Sequence, residues 1–383
     1  NFIMRDINSR ISILEFGSTY RRLAIYDDIT LNENIFFEEK IDFAKNENLN
    51  DDQIINKLIS KAEKNLGNHL NEIILMLDSS SVFSLDYSIK NNFEKKLITD
   101  NDIDYLINEC EKEIKLKNKD KDILHTIKHN VILDDSIIEN LDSISNEASK
   151  VIIDLKFILI DKKVCDFFKN FFLDKHISIR KIFCISYIKS LGLIKKLGIS
   201  GYSSFIDIGL KKSSLTIFKN KQLLFINNTH IGGEHITKDI SKILSINYRT
   251  AEAKKIKFYK NSRLDKTINE DEFLKKIINS RLEEIVEILF LNCPLIKGNH
   301  FDSNLKLFFV GNGSNVLNEN HLSFGPEFDF INEMSIISEK NNDCCNSALE
   351  FNVNSKITET EKPSSILENK GFFEKLFEYL GKK

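Results

Sequence analysis

The chain has no Trp, three Pro and 14 Gly in 383 residues, and its six Cys never fall at the two- to four-residue gap of a zinc site. Adjacent Cys344 and Cys345 do not readily bridge to each other, so the thiols read as reduced and buried in a cytosolic protein. No apolar run approaches the roughly 20 residues of a spanning helix, and no signal peptide pattern opens the chain. Charge of one sign is lacking too. The formal net charge is -3, which gives no reason to expect nucleic acid as the main partner. What is abundant is Ile, Asn, Lys and Phe, a bias that reads as codon composition rather than chemistry. With 42% hydrophobic and 29% charged residues, the chain suits two globular domains or one large bilobed one.

Residues 203–239 carry the densest signal. Phe205-Ile206-Asp207-Ile208-Gly209 is an apolar strand with one carboxylate, ending in glycine. Two more strands follow, at 213–218 and 223–227, and then Gly232-Gly233 opens a helix. An aspartate in a buried strand needs a cation or a donor to answer it. A glycine two residues later lets the backbone turn tightly against a ligand. The combination predicts a β-turn-β phosphate cradle with a metal-facing carboxylate. The plan also occurs about 190 residues earlier, where a strand at 11–16 holds Glu15, Gly17-Ser18-Thr19 follows, and a second strand runs over 23–26. Two copies predict a duplicated architecture.

Periodicity places a helix at 52–66 and a buried strand at 73–77. A strand at 82–89, a helix from 103 to 116 behind the caps Thr99 to Asp102, and strands at 123–133 and 148–160 read as a small α+β insertion. Helices follow at 163–174 and 187–197, with a strand at 177–185 between them. Further helices are expected at 232–244, 250–259, 271–289 and 340–349. A strand at 305–310 runs into a third glycine turn, Gly311-Asn312-Gly313-Ser314.

These three glycine turns with Asp207 resemble the actin, sugar-kinase and chaperone ATPase superfold. Within it the chain resembles FtsA, the bacterial cell division family. The resemblance rests on the insertion at 79–162, on Asp207-Ile208-Gly209, on Gly232-Gly233-Glu234-His235-Ile236-Thr237-Lys238-Asp239-Ile240, and on a terminal amphipathic segment behind a linker. It implies an α/β bilobed fold of duplicated ribonuclease-H-like lobes. The first lobe is expected from 1–78, 163–197 and 336–352. The base of the second is expected from 198–226 and 301–335, its upper part from 227–300, and a linker from 353–369.

The resemblance further implies ATP as ligand with Mg²⁺. Gly17, Ser18 and Thr19 would receive the terminal phosphates, Asp207 would hold the metal through water, and Gly209 and Ser213 would cradle phosphate. Lys257 would reach the nucleoside, and Gly311, Gly313 and Ser314 would form the adenosine turn. Departures are plain. Glu15 and Tyr20 stand where the family has Asp and Lys, Leu210 and Lys211 replace loop glycines, and Asn312 replaces another. Leu210 and Lys211 resist positive φ, so the second loop is expected to leave the family path. Lys211 or Lys212 pairing with a phosphate would offset the lost amides. ATP binding is expected to be weakened and hydrolysis slow or absent, an alternative being a decayed pocket on an intact scaffold. No catalytic residue is assigned, and His235 reads as a local packing or capping residue.

In residues 370–383, Phe372, Phe373, Leu376, Phe377 and Leu380 fall within roughly 140° of a helical wheel. Lys370, Lys382 and Lys383 flank that stripe, so an interfacial membrane helix is expected. The implied role is a scaffold on the cytoplasmic side of the inner membrane at the division site. It would tether an FtsZ-type tubulin-like protein, self-associate into filaments and recruit later division proteins through the insertion. The competing readings are a pilus-assembly adaptor of related fold and a small-molecule kinase, which would need a general base between the lobes.

Overall fold

A computed structural model of the chain describes residues 10–41, 47–138, 144–261, 270–291, 293–297, 305–316 and 328–358. In chain order the first lobe contains β1 (Arg10–Phe16), β2 (Tyr20–Asp27), β3 (Glu33–Lys40), α1 (Glu47–Leu66) and β4 (Glu72–Leu77). An inserted unit follows, made of β5 (Phe83–Thr99), α2 (Asp100–Lys117), β6 (Lys121–Leu133), β7 (Ser136–Ile137) and β8 (Ser145–Asp161). The chain returns through α3 (Lys162–Leu173), β9 (Ser178–Cys184) and α4 (Ile185–Leu197). The second lobe contains β10 (Tyr202–Ile208), β11 (Ser213–Lys219), β12 (Gln222–Thr229), α5 (Gly233–Ile243), α6 (Tyr248–Asn261), α7 (Glu270–Phe290), α8 (Pro294–Lys297), β13 (Leu305–Val310) and β14 (Ile331–Ile336). Finally α9 (Asp343–Thr358) crosses back to the first lobe.

The two lobes repeat one topology. The first sheet has the order β3-β2-β1-β4-β9 and the second β12-β11-β10-β13-β14. In each, three strands are antiparallel and the last two join in parallel. The repeat that the two glycine turns predict is therefore a repeat of whole sheets. Central strands are buried on both faces, as parallel strands covered by helices must be; β4, with Ile73 to Leu77 all buried, is the clearest case.

Alternation along β10 divides the interior. Phe205 joins the core shared with the first lobe, while Ile206 and Ile208 join the core under α5 and α7. By the same period Asp207 shares the face of Phe205, toward the cleft between the lobes. The helices α4 and α9 pack together there, and Ser190 of α4 meets Thr216 of β11 at 2.8 Å.

The inserted unit has an antiparallel sheet of order β5-β8-β6-β7 and a core of its own. Asp102 accepts from Thr99 N at 3.0 Å, which fixes the start of α2. Three strands were not expected: the two-residue β7, and β3 and β14, which lie at sheet edges with half-exposed side chains, so neither shows a clean apolar alternation. α9 runs to Thr358, beyond a helix at 340–349 and into the stretch read as a linker. The amphipathic segment 370–383 lies outside the described residues.

Candidate functional site

The turns that end β1 and β10 face each other across the cleft. Gly17, Ser18 and Thr19 line one wall, and Gly209, Lys212 and Ser213 the other, with Asp207 and Gly311 between them. An adjoining cavity of about 260 Å³ shares Thr19, Gly209 and Asn312 with this cleft and continues to Gly313, Gly233, Glu252 and Lys255. The site is thus an elongated slot, with the paired turns at one end and the α5–α6 surface at the other.

Local contacts explain each turn. Arg21 donates to Gly17 O, stacks over the Phe16 ring at 3.6 Å and pairs with Asp51 at 2.7 Å, which holds the first turn from beneath. The second turn closes by Gly209 N donating to Lys212 O at 3.0 Å. Leu210, Lys211 and Lys212 all lie outside the positive-φ region, so the turn carries side chains there without left-handed strain. The turns touch one another, since Leu210 N donates to Ser18 Oγ at 3.1 Å.

Close backbone approach explains the glycine pair at the start of α5. Gly233 N donates to Gly209 O at 2.9 Å and Glu234 N to Leu210 O at 2.8 Å. The carbonyls of the second turn thereby satisfy two of the four amides that a helix start leaves unpaired. A Cβ on Gly232 would lie 2.7 Å from both carbonyl oxygens. His235 Nδ1 accepts from Gly232 N at 3.2 Å, a capping contact. Gly311 has φ +84°, and a Cβ there would fall 2.1 Å from Asp207 Oδ1. Ser314 is buried and its Oγ donates to Gly311 O at 2.6 Å, so it shapes the third turn rather than lining the slot. Ser213 Oγ likewise donates to Ile231 O at 2.8 Å.

Lys257 does not reach the slot. It lies on the exposed side of α6. One helical turn places Glu252 and Lys255 together on the slot side instead, with Lys255 Nζ 2.8 Å from Glu252 Oε2, 2.9 Å from Gly233 O and 2.6 Å from Thr237 Oγ1. Glu252 and Lys255, the latter two residues before the expected Lys257, are thus the charged pair that α6 presents to the slot.

The electrostatics of the cleft are set by residues with no local motif. Lys189, on α4, places Nζ 2.7 Å from Asp207 Oδ2 and 2.8 Å from Glu339 Oε2. Burial opposes its charge, but the two carboxylates outweigh burial and raise its pKa above the ordinary lysine range. Glu339 Oε2 also accepts from Gly311 N at 2.9 Å. Nearby, burial raises the Glu15 pKa against the pull of Arg22, 2.9 Å away, and leaves Glu15 Oε2 without a hydrogen-bond partner. Burial also raises Asp78, with Lys212 opposing, while Ser186 N and Oγ donate to it at 3.1 and 3.2 Å.

A Mg²⁺ ion does not fit these residues as they stand. Asp207, expected to face the metal, has Oδ2 engaged by the Lys189 ammonium. Among the described residues no group of three His, Cys, Asp or Glu is placed to hold a metal ion. Nor, among them, is any helix long and apolar enough to cross a membrane.

Comparison with known proteins bears on the second lobe and on the fold. Residues 204–318 match the family model described as cell division protein FtsA. Over 98 residues, 21% of this chain, the sequence is 33% identical to the cell division protein FtsA of Enterococcus faecalis, and the match spans 22% of that protein's length. Among solved structures, a chain of the PilM–PilN type IV pilus biogenesis complex aligns with a TM-score of 0.56 at 12% identity, covering 91% of this chain and 97% of that one. MreB5 of Spiroplasma citri bound to ADP aligns with a TM-score of 0.46 at 12% identity, covering 93% and 100%. The chain has the α/β actin-like fold of two related lobes.

Proposed function

We propose that the chain is an actin-like nucleotide-binding scaffold of bacterial cell division, of the FtsA kind. The observation that carries this reading is the reach of the FtsA match. Residues 204–318 include the Asp207–Gly209 turn, the glycine seat of α5, the Glu252–Lys255 pair and the third glycine turn, which together form the second-lobe side of the slot. ATP would lie along the slot with its phosphates between the turns at Gly17–Thr19 and Gly209–Ser213 and its nucleoside toward Lys255 and Gly313. In the conformation described, the Ser18–Leu210 bond closes the phosphate end, so phosphate entry costs that bond. Binding is weak on this reading, and turnover slow or absent.

The scaffold would tether an FtsZ-type tubulin-like protein to the cytoplasmic side of the inner membrane and self-associate there. Phe372, Phe373, Leu376, Phe377 and Leu380 would enter the lipid interface. The inserted unit would meet later division proteins. Co-sedimentation with anionic vesicles tests this. The full chain should carry a tubulin-like division protein into the pellet, and the chain lacking 370–383 should leave both in the supernatant. Equal sedimentation of the two forms would remove the tether. A pilus-assembly adaptor is the second reading, favoured by the alignment over 97% of the PilM–PilN complex chain; it gains if vesicle binding persists without recruitment of the tubulin-like protein.

A further inference from the structure

The cleft holds a cation of its own. Lys189 enters from α4 in the first lobe, and its side chain is 11% exposed. It meets Asp207 at 2.7 Å and Glu339 at 2.8 Å. Both acids are held in place independently. Glu339 Oε2 accepts from Gly311 N at 2.9 Å, and Asp207 Oδ1 fills the space beside Gly311 that a side chain would need. Lys189, Asp207 and Glu339 line the same cavity as Gly17, Ser18, Thr19 and Gly209.

A polyphosphate brings several negative charges into such a cavity, and a divalent ion held by carboxylates is the usual answer. Here the carboxylate at the head of the second turn already answers an ammonium. A divalent ion beside Asp207 would meet that ammonium as a like charge in a poorly solvated site. An ammonium has three N–H donors; two are accounted for by Asp207 and Glu339, which leaves one for a phosphate oxygen.

We propose that the Lys189 ammonium is the resident cation of this cleft, so that a nucleoside polyphosphate binds here without a divalent metal. The inference rests on the nucleotide reading above for its ligand, but the cation itself is testable without one. The buried, doubly paired geometry keeps Lys189 charged across the physiological range, because both neighbouring acids favour the protonated form.

The first measurement is an Mn²⁺ titration of the full chain followed by electron paramagnetic resonance, with no nucleotide present. Wild type should show no sub-millimolar site. Lys189→Ser frees both carboxylates and should gain one Mn²⁺ per chain, lost again when Asp207→Asn is added. A sub-millimolar site in wild type that Asp207→Asn removes would overturn the proposal. That wild-type result decides the matter even if Lys189→Ser fails to fold. The second measurement is ATP titration into the full chain in Mg²⁺ and in EDTA. Affinities within about threefold of each other support the proposal. Binding at least about tenfold tighter in Mg²⁺ overturns it. Absence of ATP binding in both buffers overturns the metal-free binding together with the nucleotide reading, while the Mn²⁺ titration still decides whether Lys189 holds the cation position.

Discussion

Adjacent glycines at the start of α5 should respond in opposite ways to the same substitution. In Gly232→Ala the new Cβ would sit 2.7 Å from Gly209 O, 2.7 Å from Leu210 O and 2.8 Å from Lys212 N. All three are backbone atoms, so no side chain can rotate away and the turn must move. Overpacking of this kind costs about 1–3 kcal/mol. Movement also stretches the bonds from Gly233 N and Glu234 N to the same carbonyls, at about 1 kcal/mol each. The expected loss is about 3–5 kcal/mol, on the order of 10 °C in melting temperature for a domain of this size. In Gly233→Ala the nearest atoms lie 3.6–3.9 Å away, which is ordinary contact. Gly233 is the first residue of α5, so alanine there should be neutral or stabilise by up to about 1 kcal/mol. Paired thermal and urea melts of the two variants provide the assay, with ATP titration as a second readout on Gly232→Ala. Equal losses in both variants, or a wild-type melt for Gly232→Ala, would refute the seat of α5 on the second turn.

Two further outcomes are expected. Lys255→Met should weaken ATP binding and cost about 2 kcal/mol of stability by unpairing Glu252, whereas Lys257→Met should stay within about 0.5 kcal/mol of wild type on denaturant midpoints; a larger effect at 257 would reverse the assignment. His125 is buried, its Nε2 accepts from Cys184 N at 3.0 Å, and burial lowers its pKa to about 3. From the unfolded value of about 6.5 downward the unfolded chain binds a proton that the fold refuses, so stability falls as pH falls, by about 1.4 kcal/mol per pH unit until about pH 3. His125→Gln should remove that slope, with a difference of about 2 kcal/mol between pH 7 and pH 5 in urea unfolding; parallel pH curves for the two proteins would count against it.

Features legible from sequence are those written in neighbouring residues. Asp207-Ile208-Gly209 and Gly232-Gly233 declare a strand, a turn and a helix start locally, and their second copy near Gly17 predicts the repeated sheet. The rest depends on distance or on phase. Lys189, Asp207 and Glu339 come from three separated segments, and no spacing rule brings a helix lysine to two acids. Lysine abundance adds a second obscurity. Lys254, Lys255 and Lys257 stand almost together, and a two-residue error turns a helix face by roughly 200°. Lys257 in place of Lys255 therefore exchanges the slot for solvent. β3 and β14 escape for a different reason, because an edge strand exposes one flank and needs no sustained apolar run.

The backbone passes between the lobes at residues 198–201 and again at 337–342, and Lys189, on the helix that leads into the first passage, bonds to Glu339 on the second. Asp207 closes the strand that follows the first crossing; Glu339 belongs to the second. One side chain therefore ties the first lobe to the second lobe and to the second crossing at a single point. A rotation of one lobe against the other that preserves both bonds would leave this triad almost still. A signal created by such a rotation would be smallest where the charge is concentrated.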